Sequence, residues 1–255
     1  MGGALWVFTG ENDASILYDN TQINLNVLEA CRKQKVGKVF FSSSACVYPD
    51  IGKIDSGLQE FEADPTNCDS DYGREKWYAE ILYQAYARNH GMNVRIARLH
   101  NVFGSLGTWR GGREKAPAAI CRKVAEATTR VLVPPDGGDC PYEIEIFGDG
   151  RQQRSFLYID ECVEGIVRLM ASDFQGPVNL GSEHMVTIDE LVGIVSQIAG
   201  KPVTICHIPG PIGVRGRNSD NTLIREKLGW APSGSLRDGL VPTYAWISEQ
   251  VEKFR

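Results

Sequence analysis

The chain has 255 residues, of which 42% are hydrophobic and 23% charged, as in an ordinary globular protein long enough for one large domain or two interlocked smaller ones. A net charge of −5 at pH 7 argues against general nucleic-acid binding, which calls for a basic surface. The longest apolar runs fall far short of the roughly 20 residues of a membrane span, and the opening MGGALWVFTGENDAS has neither a secretory signal's regions nor a myristoylation site, because Trp6 stands where Ser or Thr is needed.

Helical and strand patterns alternate along the chain. Ile16, Ile23, Val27 and Cys31 recur at near-helical spacing, which predicts a helix over 14–34 that Gly37 ends after a basic turn. KVFFS (38–42) reads as a short buried strand and DYGREKWYAEILYQAYARNHG (71–91) as a helix stopped by Gly91. NVRIARL (93–99) is strand-like, and EIEIFGDG followed by QQRSFLYI predicts two strands joined at a Gly-Asp-Gly turn. A helix over 160–172, a strand at VNLG, and a helix opened by the capping box Thr187-Ile-Asp-Glu190 and closed by Gly200 follow. Such alternation predicts an α/β architecture with a mostly parallel sheet. A nucleotide-binding α/β fold also calls for a strand, a Gly-rich turn and a helix N-terminus that holds pyrophosphate. Here Gly2-Gly3 has no third glycine at useful spacing, no preceding strand, and no assignable acidic residue for the ribose.

Seven cysteines (31, 46, 68, 121, 140, 162, 206), an odd number without a C-x-x-C pair, fit neither a disulfide framework nor a zinc site and imply a reducing, cytoplasmic setting. Most read as small buried residues. His90, His100, His184 and His207 lack metal-ligand spacing, and a structural role is expected for each.

The chemistry concentrates in SSSAC (42–46), Tyr72-Gly-Arg-Glu-Lys76 and GGREKAPAAICRK (111–123). Tyr72 and Lys76 are four apart and share a helix face. An ammonium near a phenol favours the phenolate, drawing a pKa of about 10 towards neutrality. A serine at a strand end can share a hydrogen bond with that phenol and with a substrate hydroxyl. Together these form a device for removing an alcohol proton while hydride leaves the same carbon. Cys46 lies two residues beyond Ser44, which on an extended chain puts both side chains on one face. A thiol of pKa about 8.5, tuned by a nearby cation, can act as a base near neutral pH. A packed core thiol is the competing reading of Cys46, and a solvated surface lysine that of Lys115. Arg113, Lys115, Arg122, Lys123, Arg154, Arg215 and Arg217 cluster in an acidic chain, which suits binding of an anion such as a nucleotide diphosphate. For Arg122 and Arg215 the plainer reading is surface solvation or a salt bridge.

SSSACVYP with YGREK resembles the extended short-chain dehydrogenase/reductase family, the NAD-dependent epimerase/dehydratases of nucleotide sugars. GTWRGGREKAPAAICRK, GDGRQQRSFLYIDECVEG, VNLGSEHMV and HIPGPIGVRGRNSDNTLIREKLGWAPS are similar to its members that act on GDP-mannose, from MGG to the TYAWI segment. Two departures stand out. VLVPPDGGDCPYEIEIF (131–147) is longer than the usual connection, and the chain starts where the family has already completed its Gly-rich loop and first strands.

The resemblance implies a Rossmann-like parallel sheet lacking its first β-α units, with a smaller α/β C-terminal substrate domain. Residues 1–105 would form a partial NAD-binding domain and 106–255 mainly the substrate domain, with 155–182 returning to the Rossmann sheet. It implies NAD-dependent epimerisation of GDP-mannose at C3 and C5, giving GDP-L-galactose through a transient 4-keto sugar. Tyr72 is then the base, Lys76 lowers its pKa and holds the nicotinamide ribose, Ser44 orients the sugar, and Cys46 and Lys115 exchange protons on opposite ring faces. Gly2, Ala45, Asn101, Glu114, Ala116, Lys123, Gln152, Gln153, Arg154 and Arg217 join them as substrate contacts, with Gln153 where the family usually has Thr. Many relatives carry Thr where Cys46 stands, so the thiol favours this reaction over simple C4 epimerisation. No acidic pair of the dehydratase type follows the serines. Two alternatives stay open: another epimerase or dehydratase of the family, and an inactive fragment that binds nucleotide sugar without turnover. The expected partners are the GDP-sugar and either a homodimer mate or a separate chain supplying the Gly-rich segment, without nucleic acid or membrane.

Overall fold

A computed structural model describes residues 4–49, 57–127, 142–210, 213 and 215–254. The short helix α1 (Ala4–Val7) leads into α2 (Asp13–Lys33), β1 (Val39–Ser44), α3 (Asp71–His90) and β2 (Val94–Leu99). Then come β3 (Val102–Phe103), α4 (Ala116–Glu126), β4 (Tyr142–Phe147), β5 (Gln153–Ser155), β6 (Leu157–Tyr158), α5 (Ile159–Ala171) and β7 (Pro177–Leu180). The C-terminal part carries β8 (Met185–Thr187), α6 (Ile188–Ala199), β9 (Val203–Ile208), β10 (Gly216–Arg217), α7 (Thr222–Leu228) and α8 (Leu236–Lys253).

Among the described residues β1, β2 and β7 form one parallel sheet in that order, with Ser44 opposite Leu99 and Leu99 opposite Leu180. The carboxyl ends of all three strands therefore lie together, where ligands of open α/β sheets bind. Leu28, Phe41, Ala79, Tyr83 and Ile96 bury one face beneath α2 and α3, with Phe41 stacked on Tyr83 at 4.5 Å. Leu157, Cys162, Leu169, Val178 and Leu180 bury the other against α5. A second core joins α4, α6 and α8 to β4 through Ile120, Val124, Ile144, Leu191, Leu240 and Ile247. Each such side chain contributes roughly 1.5–3 kcal/mol of burial.

Helix ends follow local chemistry. Ser70 caps α3 by accepting from the Gly73 N–H at 3.1 Å, and Gly91 ends it at φ 65°, a left-handed conformation that suits glycine. Thr187 and Glu190 close the predicted capping box on α6.

Local signals failed at the Gly-Asp-Gly turn. The strands on either side of it form, but they do not pair with each other. β4 runs parallel to β9, whereas β5 sits between β10 and the antiparallel β8. The stretch QQRSFLYI divides into β5 and β6, and β6 pairs with β3. Long-range partners thus override a turn signal that alone suggests a hairpin. The long connection noted in the sequence lies, up to residue 141, outside the described residues.

Candidate active site

Five predicted chemical residues converge at the carboxyl end of β1. Ser44 is the last residue of the strand, and its Oγ accepts from the Cys46 N–H at 3.2 Å. That contact starts a 3-10 turn over Ala45–Val47, so Cys46 is aimed by the turn rather than by strand alternation. The extended-chain expectation for residues 44–46 is therefore corrected, although Ser44 and Cys46 still share one locality. Ala45 is buried beneath them. The first turn of α3 presses on this bend. A Cβ at Gly73 would lie 2.0 Å from the Cys46 carbonyl oxygen, which explains the glycine in YGREK: any side chain would push Tyr72 away from the turn.

Tyr72 and Lys76 are both buried on α3. Burial pushes the Tyr72 phenol well above its ordinary range, opposed by a hydrogen bond with Ser44. The Lys76 ammonium stands 5.7 Å from the Tyr72 ring centroid and 3.9 Å from Glu75 Oε2. Asn20 and Asn24 donate to the two Glu75 oxygens at 3.0 and 2.9 Å, and burial lowers the Lys76 amine. The expected pull of Lys76 on the phenol is thus overridden: burial dominates, and the cation has a carboxylate closer at hand.

Burial also pushes Cys46 up to about 11, with Asp69 raising it further and Arg217 and Ser44 opposing. This corrects the expectation of a thiol base near neutral pH. Lys115 shows the complementary trend. It stands at the N-cap of α4, its Nζ 3.5 Å from the Val102 carbonyl, in dense surroundings that push its amine down, while Cys46 pulls it up. Much of the residue remains open to solvent, which tempers that shift. Lys115 lies within electrostatic reach of Cys46 and also of Cys162 on α5.

Arg217 enters from β10. It is almost wholly enclosed and pairs with Asp69 Oδ2 at 2.8 Å, side chains 6% and 1% exposed. Arg217 Nη2 has no partner. The second Asp69 oxygen accepts from Ser70 Oγ at 2.7 Å. Arg217 stands in register with Arg154 on β5, so two guanidinium-bearing residues meet on adjacent strands. Sequence reasoning missed Asp69 and Glu75. Asp69 stands beside another acid, Asp71, just ahead of α3, with nothing local to say which faces inward.

A second group lies around α4. Glu114 accepts from Arg122 at 2.9 Å while its other oxygen is buried without a partner. Arg122 also bridges Glu126, which agrees with its plain salt-bridge reading. Lys123 donates to the Glu145 carbonyl and faces the Phe147 ring. Gln152 donates to the Phe147 carbonyl at 3.0 Å and keeps Oε1 buried and unpartnered. Ala116 opens α4, and Gln153 is held in the sheet between β10 and β8. Asn101 takes φ 43° after β2 and donates to the Ser155 carbonyl at 3.0 Å. Gly2 lies outside the described residues. Among those described, no group of His, Cys, Asp and Glu could hold a metal, the cysteines are free thiols, and no helix is long and apolar enough to cross a membrane.

An open cavity of about 230 Å³ runs beside this site, lined by Asn20, Asn24, Phe41, Ser42, Lys76 and Tyr83. A buried ammonium beside a phenol, with amides and an aromatic wall, fits the nicotinamide-ribose end of a dinucleotide. The described residues contain no Gly-rich strand-to-helix turn for its pyrophosphate. A larger cavity of about 520 Å³ near Gly91, Asn93 and Asp173 opens at the amino end of the sheet, away from this chemistry.

Residues 4–181 match the model of the NAD dependent epimerase/dehydratase family. The chain is 48% identical over 96% of its length to GDP-mannose 3,5-epimerase 1 of rice (Oryza sativa subsp. indica), covering 62% of that protein. It is 47% identical, again over 96%, to GDP-mannose 3,5-epimerase of Arabidopsis thaliana, covering 63%. It therefore spans about three-fifths of the length of these relatives. Among solved structures it is similar to UDP-glucuronic acid 4-epimerase from Bacillus cereus in complex with UDP-glucuronic acid and NAD: TM-score 0.74, 25% identity, over 91% of this chain and 68% of that one.

Proposed function

The chain belongs to the NAD dependent epimerase/dehydratase family, and we propose that it epimerises GDP-mannose at C3 and C5 through a transient ketone at C4. The observation that carries this reading is the placement of the Cys46 thiol within electrostatic reach of the Lys115 amine, beside the hydrogen-bonded Ser44–Tyr72 pair. NAD, when bound, supplies the hydride acceptor for C4, with Lys76 and Tyr72 as the residues that would hold its nicotinamide ribose. Ser44 orients the C4 hydroxyl, and Tyr72, which must first give up its own proton against the burial that holds it, receives that hydroxyl's proton as the phenolate. The ketone acidifies the hydrogens on C3 and C5. Cys46 and Lys115 exchange protons with C3 and C5 on opposite ring faces, which inverts each centre. Arg217 and Arg154 suit the diphosphate, and Glu114, Ala116, Lys123, Gln152 and Gln153 the rest of the nucleotide sugar, with Ala45 and Asn101 near the ring.

Two assemblies suit the chain: a homodimer, and a complex with a separate chain bearing a Gly-rich turn. Leu17, Tyr18, Ile23 and Val27 exposed on α2, beside a β1 edge that has no strand partner among the described residues, support the second. The free thiols support a cytoplasmic setting. The decisive experiment incubates the folded protein, with NAD binding verified by calorimetry, with GDP-mannose in deuterated water. Deuterium at both C3 and C5 is expected. Label at neither carbon, or loss of water from the sugar, would overturn the proposal.

A further inference from the structure

Residues 104–115 connect β3 to α4 and carry Glu114 and Lys115 at their end. Cation–aromatic contacts hold this loop from two sides. In its first half the Arg110 guanidinium lies 3.9 Å from the Phe254 ring centroid and 4.9 Å from that of Trp109. Trp109 packs on the core of α4, α6 and α8, and Ser105 Oγ donates to the Pro242 carbonyl at 3.2 Å. In its second half the Arg113 guanidinium lies 3.6 Å from the Trp6 ring centroid, a cation placed on the face of an indole. Between the two anchors Gly111 and Gly112 take φ 91° and 80°, with nothing within 4 Å of either Cβ position. Only glycine adopts that backbone freely, so the two halves join at an unpacked bend. Trp6 is itself tied down. Asn12, the N-cap of α2, donates to its carbonyl at 3.3 Å, and α2 supplies the Asn20 and Asn24 amides that hold Glu75 beside Lys76. The Trp6–Arg113 contact thus joins the cofactor side of the molecule to the loop that brings Lys115.

We propose that Trp6 and Arg113 form a clasp that fastens residues 104–115 across the site, and that both are positioning residues for Lys115. The inference rests on the reading of Lys115 as a group that exchanges a proton with the sugar ring. Arg113 is exposed, so its stacking on Trp6 is not imposed by enclosure in a core. Releasing it frees the stretch after the glycine bend, while Arg110 and Trp109 keep the first half of the loop on α8. Closing it brings the segment next to Lys115 back against the helix whose amides order the Lys76 end of the site. A sugar bound between Tyr72 and Lys115 needs both sides at a fixed separation, because proton exchange at the ring carbons falls steeply with misplacement of the exchanging group. Loss of the clasp therefore acts on ring-proton exchange, which uses Lys115, and spares hydride transfer, which uses Ser44, Tyr72 and Lys76.

The first test needs no turnover. Limited trypsin digestion of the full chain is followed by peptide-resolved mass spectrometry. Cleavage after Lys115 requires the loop to lift. Cleavage after Lys35, in the exposed turn that follows α2, is the reference, and cleavage after the buried Lys76 reports general loosening. Trp6→Ala should speed cleavage after Lys115 by about three- to tenfold, the change in open population that follows from losing one cation–π contact, with Lys35 and Lys76 unchanged. Arg113→Ala should do the same. Trp6→Phe keeps an aromatic face for the cation and should stay within about twofold of the unmodified chain. The unmodified rate in either alanine variant, or the same acceleration in Trp6→Phe, overturns the clasp. If Trp6→Ala does not fold, Arg113→Ala decides alone, since it alters an exposed side chain. The second test reads the consequence for Lys115 with NAD and GDP-mannose in deuterated water. Trp6→Ala should slow deuterium uptake at the ring carbons more than hydride transfer, followed as NADH absorbance. Equal slowing of the two overturns the positioning role. The expected cleavage pattern with no deuterium uptake in any form of the chain would refute the proposed reaction and leave the clasp standing.

Discussion

Arg95 and Arg98 stand three residues apart on β2, both enclosed from solvent, and the fold satisfies them by different means. At the amino end of the strand, Arg95 Nε donates to the carbonyls of Leu169 at 3.2 Å and Ser172 at 3.1 Å, which end α5. Asn93 adds a side-chain acceptor at 2.5 Å. No carboxylate hydrogen-bonds Arg95 among the described residues; the partly negative end of a helix receives the charge instead. At the carboxyl end, Arg98 forks onto Glu80 at 2.9 and 2.7 Å, and Ser43 donates to the same carboxylate. Arg98 also reaches the Tyr48 hydroxyl at 3.1 Å and the Glu60 carbonyl at 2.6 Å. Tyr48 passes the network to Asn179 at 2.6 Å, and Asn179 to His100 at 3.0 Å. One arginine caps a helix locally. The other ties the Cys46 turn, the segment near Glu60 and the end of β7 into a single frame around the site. Buried charge in this sheet is thus anchored to backbone where only stability is at stake, and to side chains where loops must hold a geometry.

Breaking the carboxyl-end network should have the larger effect. Glu80→Leu leaves the enclosed Arg98 guanidinium without its hydrogen-bonded counter-charge, a change that typically costs about 3–5 kcal/mol. It should lower the urea midpoint sharply and also loosen the Cys46 turn, seen as faster hydrogen exchange at residues 45–48. A midpoint within error of the unmodified chain would show that the network contributes no stability.

Arg95→Met sharpens the contrast from the other end. It removes a desolvated cation along with its bonds, and the carbonyls of Leu169 and Ser172 lose their donors. A loss of about 2–3 kcal/mol follows, given charge-assisted bonds worth about 1.5–3 kcal/mol each and partial relief of desolvation. Exchange should quicken at the C-terminus of α5 and stay unchanged at residues 45–48. Loosening of the Cys46 turn in this variant would erase the distinction between the two ends.

How much of this the sequence disclosed depends on how local the causes are. The span of α3 was legible because Gly91 follows its last turn, and α6 because Thr187 and Glu190 form a capping box. Ser44, Cys46, Tyr72 and Lys76 were singled out by residue type and spacing, whereas Lys115 and the role of each came from the family resemblance. The fate of VRIARL was not. Alternation in a half-buried strand would send Arg95 and Arg98 in opposite directions and expose at least one of them. Both are enclosed, because α5 closes over one and Glu80 on α3 meets the other, and neither partner can be inferred from the strand. Asp69 escaped for the same reason, since its partner Arg217 arrives on β10. The protonation states were misjudged because burial, which local sequence does not report, outweighs the neighbouring charges at Tyr72 and Cys46.

The smallest expected effect separates the two ends by pH. His100 follows β2 directly and is fully buried. Asn179 Nδ2 donates to the Leu58 carbonyl at 2.7 Å, so its Oδ1 must accept, and His100 Nε2 must carry the hydrogen. Nδ1 is left buried without a partner. Burial lowers this imidazole from 6.5 to about 3, and Arg217 and Arg98 oppose its charging. Between those values the unfolded chain binds a proton that the folded chain does not. Stability attributable to His100 is therefore complete above about pH 6.5 and falls as pH drops towards 3. Between pH 7 and 5 the loss should be about 2 kcal/mol, at roughly 1.4 kcal/mol per unit through the window. Arg95 stays charged throughout this range, so the amino end contributes no slope. Urea midpoints at pH 7 and 5 should show the fall in the unmodified chain and a much flatter profile in His100→Asn. Equal slopes in the two would mean that acid reaches the fold by a route other than this frame.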